Sequence, residues 1–228
     1  MDKKKKNYII SGVLVFIALL FTLLVKFVDV QAVGPEGSYV GLATINKFVF
    51  DLIGTNDAWY EITKYLGLVP LMLVMVYAFI GLTQLVKEKN IKKVDKEILI
   101  LGGFYFVVAV LYVFFEKCII NYRPVLMDGV LEASYPSSHT LMTICFCGSA
   151  LILNNKYFSK TMTKYLNVFL VLLTGVVVVG RLISGVHWFT DILGGCFISA
   201  ALLMIFYSVV ENNKTYRLKD RTKKKKRK

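Results

Sequence analysis

Both histidines of this chain stand in segments whose residues could move a phosphoryl group. His139 follows Pro136-Ser137-Ser138. His187 lies six residues after Arg181 and four before Asp191. Upstream runs Lys117-Cys118-Ile119-Ile120-Asn121-Tyr122-Arg123-Pro124. Together these segments hold a candidate nucleophile, a candidate acid, a carboxylate and three cations, which is what transfer through a phosphohistidine requires. The i, i+4 spacing of His187 and Asp191 places both on one helix face. A carboxylate accepting one ring N–H leaves the other nitrogen's lone pair free for attack. Arg123 and Arg181 offer planar forks suited to phosphate oxygens. Ser137, Ser138 and the turn at Gly185 can add hydroxyl or backbone N–H donors, since a small-residue turn opening a helix seats anions.

The elements that must position these residues are apolar. The chain has 228 residues, 56% of them hydrophobic, and a mean hydropathy of +0.60, beyond the range of an ordinary soluble domain. Apolar runs near 8–25, 66–86, 98–115, 140–153, 165–180 and 188–210 approach or reach the length that crosses a bilayer. None alternates as barrel strands do. The expected fold is therefore all-α, a six-transmembrane-helix bundle, with residues 1–228 as one membrane domain. The basic start and apolar stretch are longer than a signal core, so the first run is expected to be a retained span.

The net charge of +13 is distributed as a topology signal. Lysines cluster at 3–6, at 87–96 and at 156–164. The tail from Lys214 to Lys228 carries ten further basic residues, within a basic segment at 212–228. The intervening loops are poor in Lys and Arg. This alternation predicts cytoplasmic termini, with 29–65, 116–138 and 181–187 outside. Three distant segments then converge on one membrane face. No stacking platform or basic groove accompanies the charge, so nucleic acid is not expected as a partner.

Within 29–65, Leu42, Ile45, Phe48, Val49, Leu52 and Ile53 recur at helical spacing. They predict an amphipathic helix on the outer interface, as a bundle cap or as a lid near substrate entry. Trp59 and Tyr60 suit an interfacial aromatic belt. Cys118, Cys145, Cys147 and Cys196 are scattered through or beside apolar runs and read as free thiols, not as a zinc site.

The order and spacing of the three motifs resemble those of the type 2 phosphatidic acid phosphatases, membrane lipid phosphatases whose pattern is K-x6-R-P, then P-S-G-H, then S-R-x5-H-x3-D. The match lies within 117–191 and departs at three places. Five residues, not six, separate Lys117 from Arg123, and the six-residue position is Glu116. Ser138 replaces a glycine, and Gly180 replaces a serine. The resemblance implies His187 as nucleophile, Asp191 as its orienter, and His139 as acid for the leaving oxygen and then base for water. It implies phosphate contacts from Lys117, Arg123 and Arg181; a lysine stem is long enough to absorb a one-residue offset.

The function expected is hydrolysis of a lipid phosphate monoester or pyrophosphate at the outer face of a bacterial plasma membrane. Candidate substrates are phosphatidic acid, phosphatidylglycerophosphate and undecaprenyl pyrophosphate. No carboxylate cluster of metal-ligand type is evident, so no metal or cofactor is expected. Two alternatives stay open: phosphotransfer to a lipid acceptor, and an inactive lipid-binding or transport protein.

Overall fold

A computed structural model describes the backbone of residues 2–226 and the side chains of residues 2–213. The orientation role expected of the tail beyond 213 lies outside the described side chains. The fold is all-α, as expected. α1 (Lys3–Phe27), α4 (Val69–Glu88), α5 (Lys96–Lys117), α6 (Ser138–Tyr157), α7 (Lys160–Ile183) and α8 (Phe189–Lys226) correspond to the six apolar runs. Two shorter helices, α2 (Ala43–Ile53) and α3 (Asp57–Leu66), lie between α1 and α4.

Among the described residues, five stretches are long and apolar enough to cross a membrane: α1, Asp57–Glu88, α5, α7 and Phe189–Asn213. α6 is 20 residues long but more polar, because it packs against α4, α5, α7 and α8 instead of lipid. Thr140, Thr143, Ser149 and Asn154 are buried along it. Asn154 accepts from the Tyr77 hydroxyl at 2.7 Å and donates to Asn167 at 2.7 Å, so these polar groups are satisfied by neighbouring helices. The outer helices present Phe16, Met75, Phe106 and Leu172 outward, as a surface solvated by acyl chains requires.

α2 occupies the segment expected to be amphipathic. Phe48 and Leu52 are exposed, while Asn46 is fully buried. The amide of Asn46 donates to Gly41 O at 2.9 Å and Thr190 Oγ1 at 2.8 Å. Its carbonyl accepts from Thr190 N at 3.0 Å. Apolar side chains thus face outward while a polar one docks the helix on the start of α8. α3 was not expected: residues 57–66 read only as an aromatic belt. Asn56 caps it, accepting from Trp59 N at 3.0 Å, and it packs against α7.

Candidate active site

α7 stops at Ile183 because Gly185 has φ +68°, a conformation that favours glycine. Glycine is also required there sterically, since a Cβ would stand 2.1 Å from Gly54 O. The chain then turns through His187 into α8. Trp188 precedes the first helical residue and Asp191 sits at the third. The Asp191 carboxylate accepts from Trp188 N at 2.9 Å, the reaching-back half of a capping box. Ser137 caps α6, accepting from Thr140 N at 3.5 Å, and its own N–H donates to Asp191 O at 3.0 Å. The two helix starts that carry His139 and Asp191 are therefore bonded to each other.

Two guanidiniums converge on one nitrogen. Arg123 Nη1 and Arg181 Nη2 each lie 3.3 Å from His187 Nε2. Arginine can only donate, so Nε2 is the acceptor and the ring proton sits on Nδ1. Nδ1 lies 3.7 Å from Asp191 Oδ2. That is beyond hydrogen-bond distance, whereas the sequence reading expected a direct N–H to carboxylate bond. The reason is local: the capping bond to Trp188 N holds the carboxylate. The Ser134 backbone carbonyl also faces the imidazole. Burial, and then the charges of Arg123 and Arg181, push the His187 pKa well below its ordinary value. The ring stays neutral, with the Nε2 lone pair turned toward the two guanidiniums.

Arg181 is 1% exposed. It donates to Thr63 Oγ1 at 3.5 Å and lies 5.3 Å from the centroid of the Tyr60 ring, a cation–π geometry. Arg123 is held by Glu132 at 3.0 Å and donates to Val186 O at 3.3 Å. His139 stands within electrostatic reach of both arginines and of His187. Its Nδ1 has no hydrogen-bond partner, and its ring approaches Gly67 at the α3–α4 turn, where a Cβ would stand 2.6 Å from Cδ2.

Glu116, Arg123, Ser134, Tyr135, Ser138 and His187 line a narrow crevice. Ser138 faces it; Ser137 is spent on the cap. Gly185 lines a different crevice with Phe50, Gly54 and His187. Lys117 is exposed and does not line the crevice, while its neighbour Glu116 does. Consecutive helical residues point about 100° apart, so the phosphate contact expected of Lys117 is not what the fold presents. Among the described residues, no three His, Cys, Asp or Glu side chains are grouped to hold a metal ion.

Sequence reasoning missed Tyr60, Thr63, Ser134 and Asn121. Asn121 is fully buried, accepts from Gly41 N at 2.9 Å, and attends the Asp191 carboxylate together with the Ser134 hydroxyl. A polar asparagine between two motif cations was the available signal for Asn121. Nothing in α3 distinguished Thr63.

Residues 113–215 match the model of the PAP2 superfamily, and that stretch holds all three motifs. Over 87 residues, 37% of this chain, the sequence is 32% identical to lipid phosphate phosphatase delta of Arabidopsis thaliana; the chain covers 21% of that protein's length. The fold is similar to the crystal structure of a transmembrane PAP2-type phosphatidylglycerolphosphate phosphatase from Bacillus subtilis. The TM-score is 0.56 and the identity 18%, over 90% of this chain and 96% of that one. At that identity the likeness speaks to the fold alone. The family resemblance read from the motifs is borne out.

Proposed function

From a PAP2-superfamily segment folded around a neutral, doubly arginine-contacted histidine, we propose that the chain is an integral-membrane phosphatase. Its substrate is a lipid phosphate monoester or pyrophosphate, such as phosphatidic acid, phosphatidylglycerophosphate or undecaprenyl pyrophosphate. The observation that carries the reading is the convergence of Arg123 and Arg181 on His187 Nε2. The nitrogen that carries the lone pair is the one beside which two cationic forks are held, and an incoming phosphate would draw those forks onto its own oxygens.

In the proposed reaction, Nε2 attacks phosphorus and the bond to the leaving oxygen breaks. His139 gives that oxygen its proton. The arginines stabilise charge on the equatorial oxygens, the main demand of phosphoryl transfer. Water then attacks the phosphohistidine, His139 takes its proton, the P–N bond breaks and inorganic phosphate leaves. Asp191 and the Ser134 carbonyl balance the positive ring as it forms. No step needs a metal. The lysine-rich and lysine-poor segments support cytoplasmic termini and a site at the outer face of the plasma membrane, with residues 1–228 acting as one unit.

The test is phosphate release from a panel of lipid phosphates in EDTA, comparing wild type with His187→Ala. Metal-independent release that the substitution abolishes is expected. Release that chelation stops and a divalent ion restores, or that His187→Ala retains, overturns the mechanism.

A further inference from the structure

Exposure is graded along the candidate crevice. His187, at its inner end, is 3% exposed. Tyr112 and Glu116 line the same crevice and are exposed. Glu132 stands near that outer end: its side chain is 47% exposed and pairs with Arg123 at 3.0 Å. Tyr112 is within electrostatic reach of Glu116, Glu132 and Arg123 alike. The guanidiniums thus reach the depth of His187, while the carboxylates stand nearer the mouth. The position six residues before Arg123, a lysine in the family pattern, is Glu116 in this chain, and Lys117 does not line the crevice.

The positive charge available to a substrate is correspondingly small. Arg181 contacts the Thr63 hydroxyl and the neutral His187 ring, so its charge is left for an anion. Arg123 already faces the Glu132 carboxylate. Two guanidiniums at one nitrogen match one phosphoryl group, which carries about 1.5 to 2 negative charges at neutral pH. In-line displacement puts the leaving oxygen opposite His187 Nε2. Nε2 is at the closed end, so the leaving group extends toward the mouth and Glu116. From a monoester that group is an uncharged alcohol. From a diphosphate it is a second phosphate, which would meet Glu116 and Glu132 with no cation of its own.

We infer that Glu116 makes the site selective for lipid phosphate monoesters against lipid diphosphates. The inference rests on the lipid phosphatase reading above and narrows its substrate class; of the candidate substrates, undecaprenyl pyrophosphate is the one disfavoured. The selectivity comes from a repulsive element and not from an added contact. Because Glu116 is exposed, salt screens it, and the discrimination shrinks as ionic strength rises.

Dioleoyl phosphatidic acid and dioleoylglycerol pyrophosphate differ only in the second phosphate and are compared in the same mixed micelles. Wild type should favour phosphatidic acid by roughly 10-fold or more in kcat/KM at low salt, the scale of one like-charge contact near a surface. Glu116→Gln should reduce that preference and Glu116→Lys should abolish or reverse it, whereas Lys117→Gln should leave it unchanged. Both side chains are exposed, so these substitutions spare the packed core. Equal efficiency of wild type on the two lipids, a preference that salt does not weaken, or one that follows Lys117 and not Glu116 overturns the inference. A wild type that releases phosphate from neither lipid sinks the phosphatase reading instead. Melting-temperature shifts then decide the charge selection alone: orthophosphate should stabilise wild type more than pyrophosphate does, and Glu116→Lys should reverse the order. An order that Glu116→Lys leaves unchanged overturns the selection.

Discussion

Gly180 and Thr63 fit together only because position 180 has no side chain: a Cβ there would stand 2.5 Å from Thr63 Cγ2 and 2.8 Å from a Trp59 ring carbon. The departure from the family's serine is therefore matched by α3, which lies against α7 at this point and brings Thr63 and Tyr60 to Arg181. Gly180→Ser should push the helices apart at an overpacking cost of about 1–3 kcal/mol and lower kcat/KM through Arg181. Thr63→Ser keeps the hydroxyl and removes the opposing methyl, so the double variant should recover part of the loss. A double-mutant cycle on lipid phosphate hydrolysis checks this. Strict additivity would show that the two positions do not communicate.

Asp191 has a structural and an electrostatic task, and one substitution separates them. Asp191→Asn retains an oxygen that can accept from Trp188 N, so helix α8 should keep its start and the protein its melting temperature to within a few degrees. The negative charge 3.7 Å from His187 Nδ1 is removed, and the forming ring cation loses its counterweight. Turnover should fall by about 10²- to 10⁴-fold, the scale of the equivalent change in a catalytic triad. A matching loss of thermal stability and activity would assign Asp191 to the cap alone.

Glu116 places a negative charge in a crevice proposed to take an anion. Glu116→Lys should tighten inhibition by vanadate several-fold and lower KM for a lipid phosphate, with Arg123 released from like-signed competition at the mouth. Lys117→Ala, altering an exposed side chain outside the crevice, should stay within about twofold of wild type. Steady-state kinetics of both variants decide the matter. An inactive Lys117→Ala would return that lysine to the site.

The depressed pKa of His187 fixes a sign. Below about pH 6.5, its ordinary value, the unfolded chain takes up a proton at this position that the folded protein refuses. Stability is therefore fully present above that pH and falls as pH drops through it. The melting temperature should decline from pH 7.5 to pH 5.5, and less so in His187→Asn. An equal decline in both would place the acid sensitivity elsewhere. By the same logic, an acid limb near pH 6.5 in the rate profile belongs to a group other than His187.

Much of this was legible in the residues. The six apolar runs gave the helices, because lipid demands continuous apolarity and internal backbone bonding. The i, i+4 and i, i+6 spacings around His187 brought Asp191 and Arg181 to it because short intervals leave the chain few alternatives. Contacts between distant segments were not legible. Thr63 reaches Arg181 across 118 positions, and Asn46 reaches Thr190 across 144; neither pair carries a local period. Lys117 is set apart from the crevice for another reason. Motif spacing predicts reach along a flexible stem, whereas the helix axis of α5 decides which of two adjacent exposed side chains borders the crevice.

α6 is fastened at both ends. Its N-terminal end is bonded through Ser137 to Asp191. Its other end carries Lys156, paired with Asp95 at 3.0 Å and with the buried Glu97 at 2.9 Å. Twenty residues between those anchors make a rod about 30 Å long, near the thickness of a hydrocarbon core. A helix pinned this way cannot tilt to match a thinner or thicker bilayer. Because α6 packs against helices and not lipid, a bilayer of another thickness must deform around the bundle as a whole, so the depth of His139 is a property of the protein and not of the lipids around it.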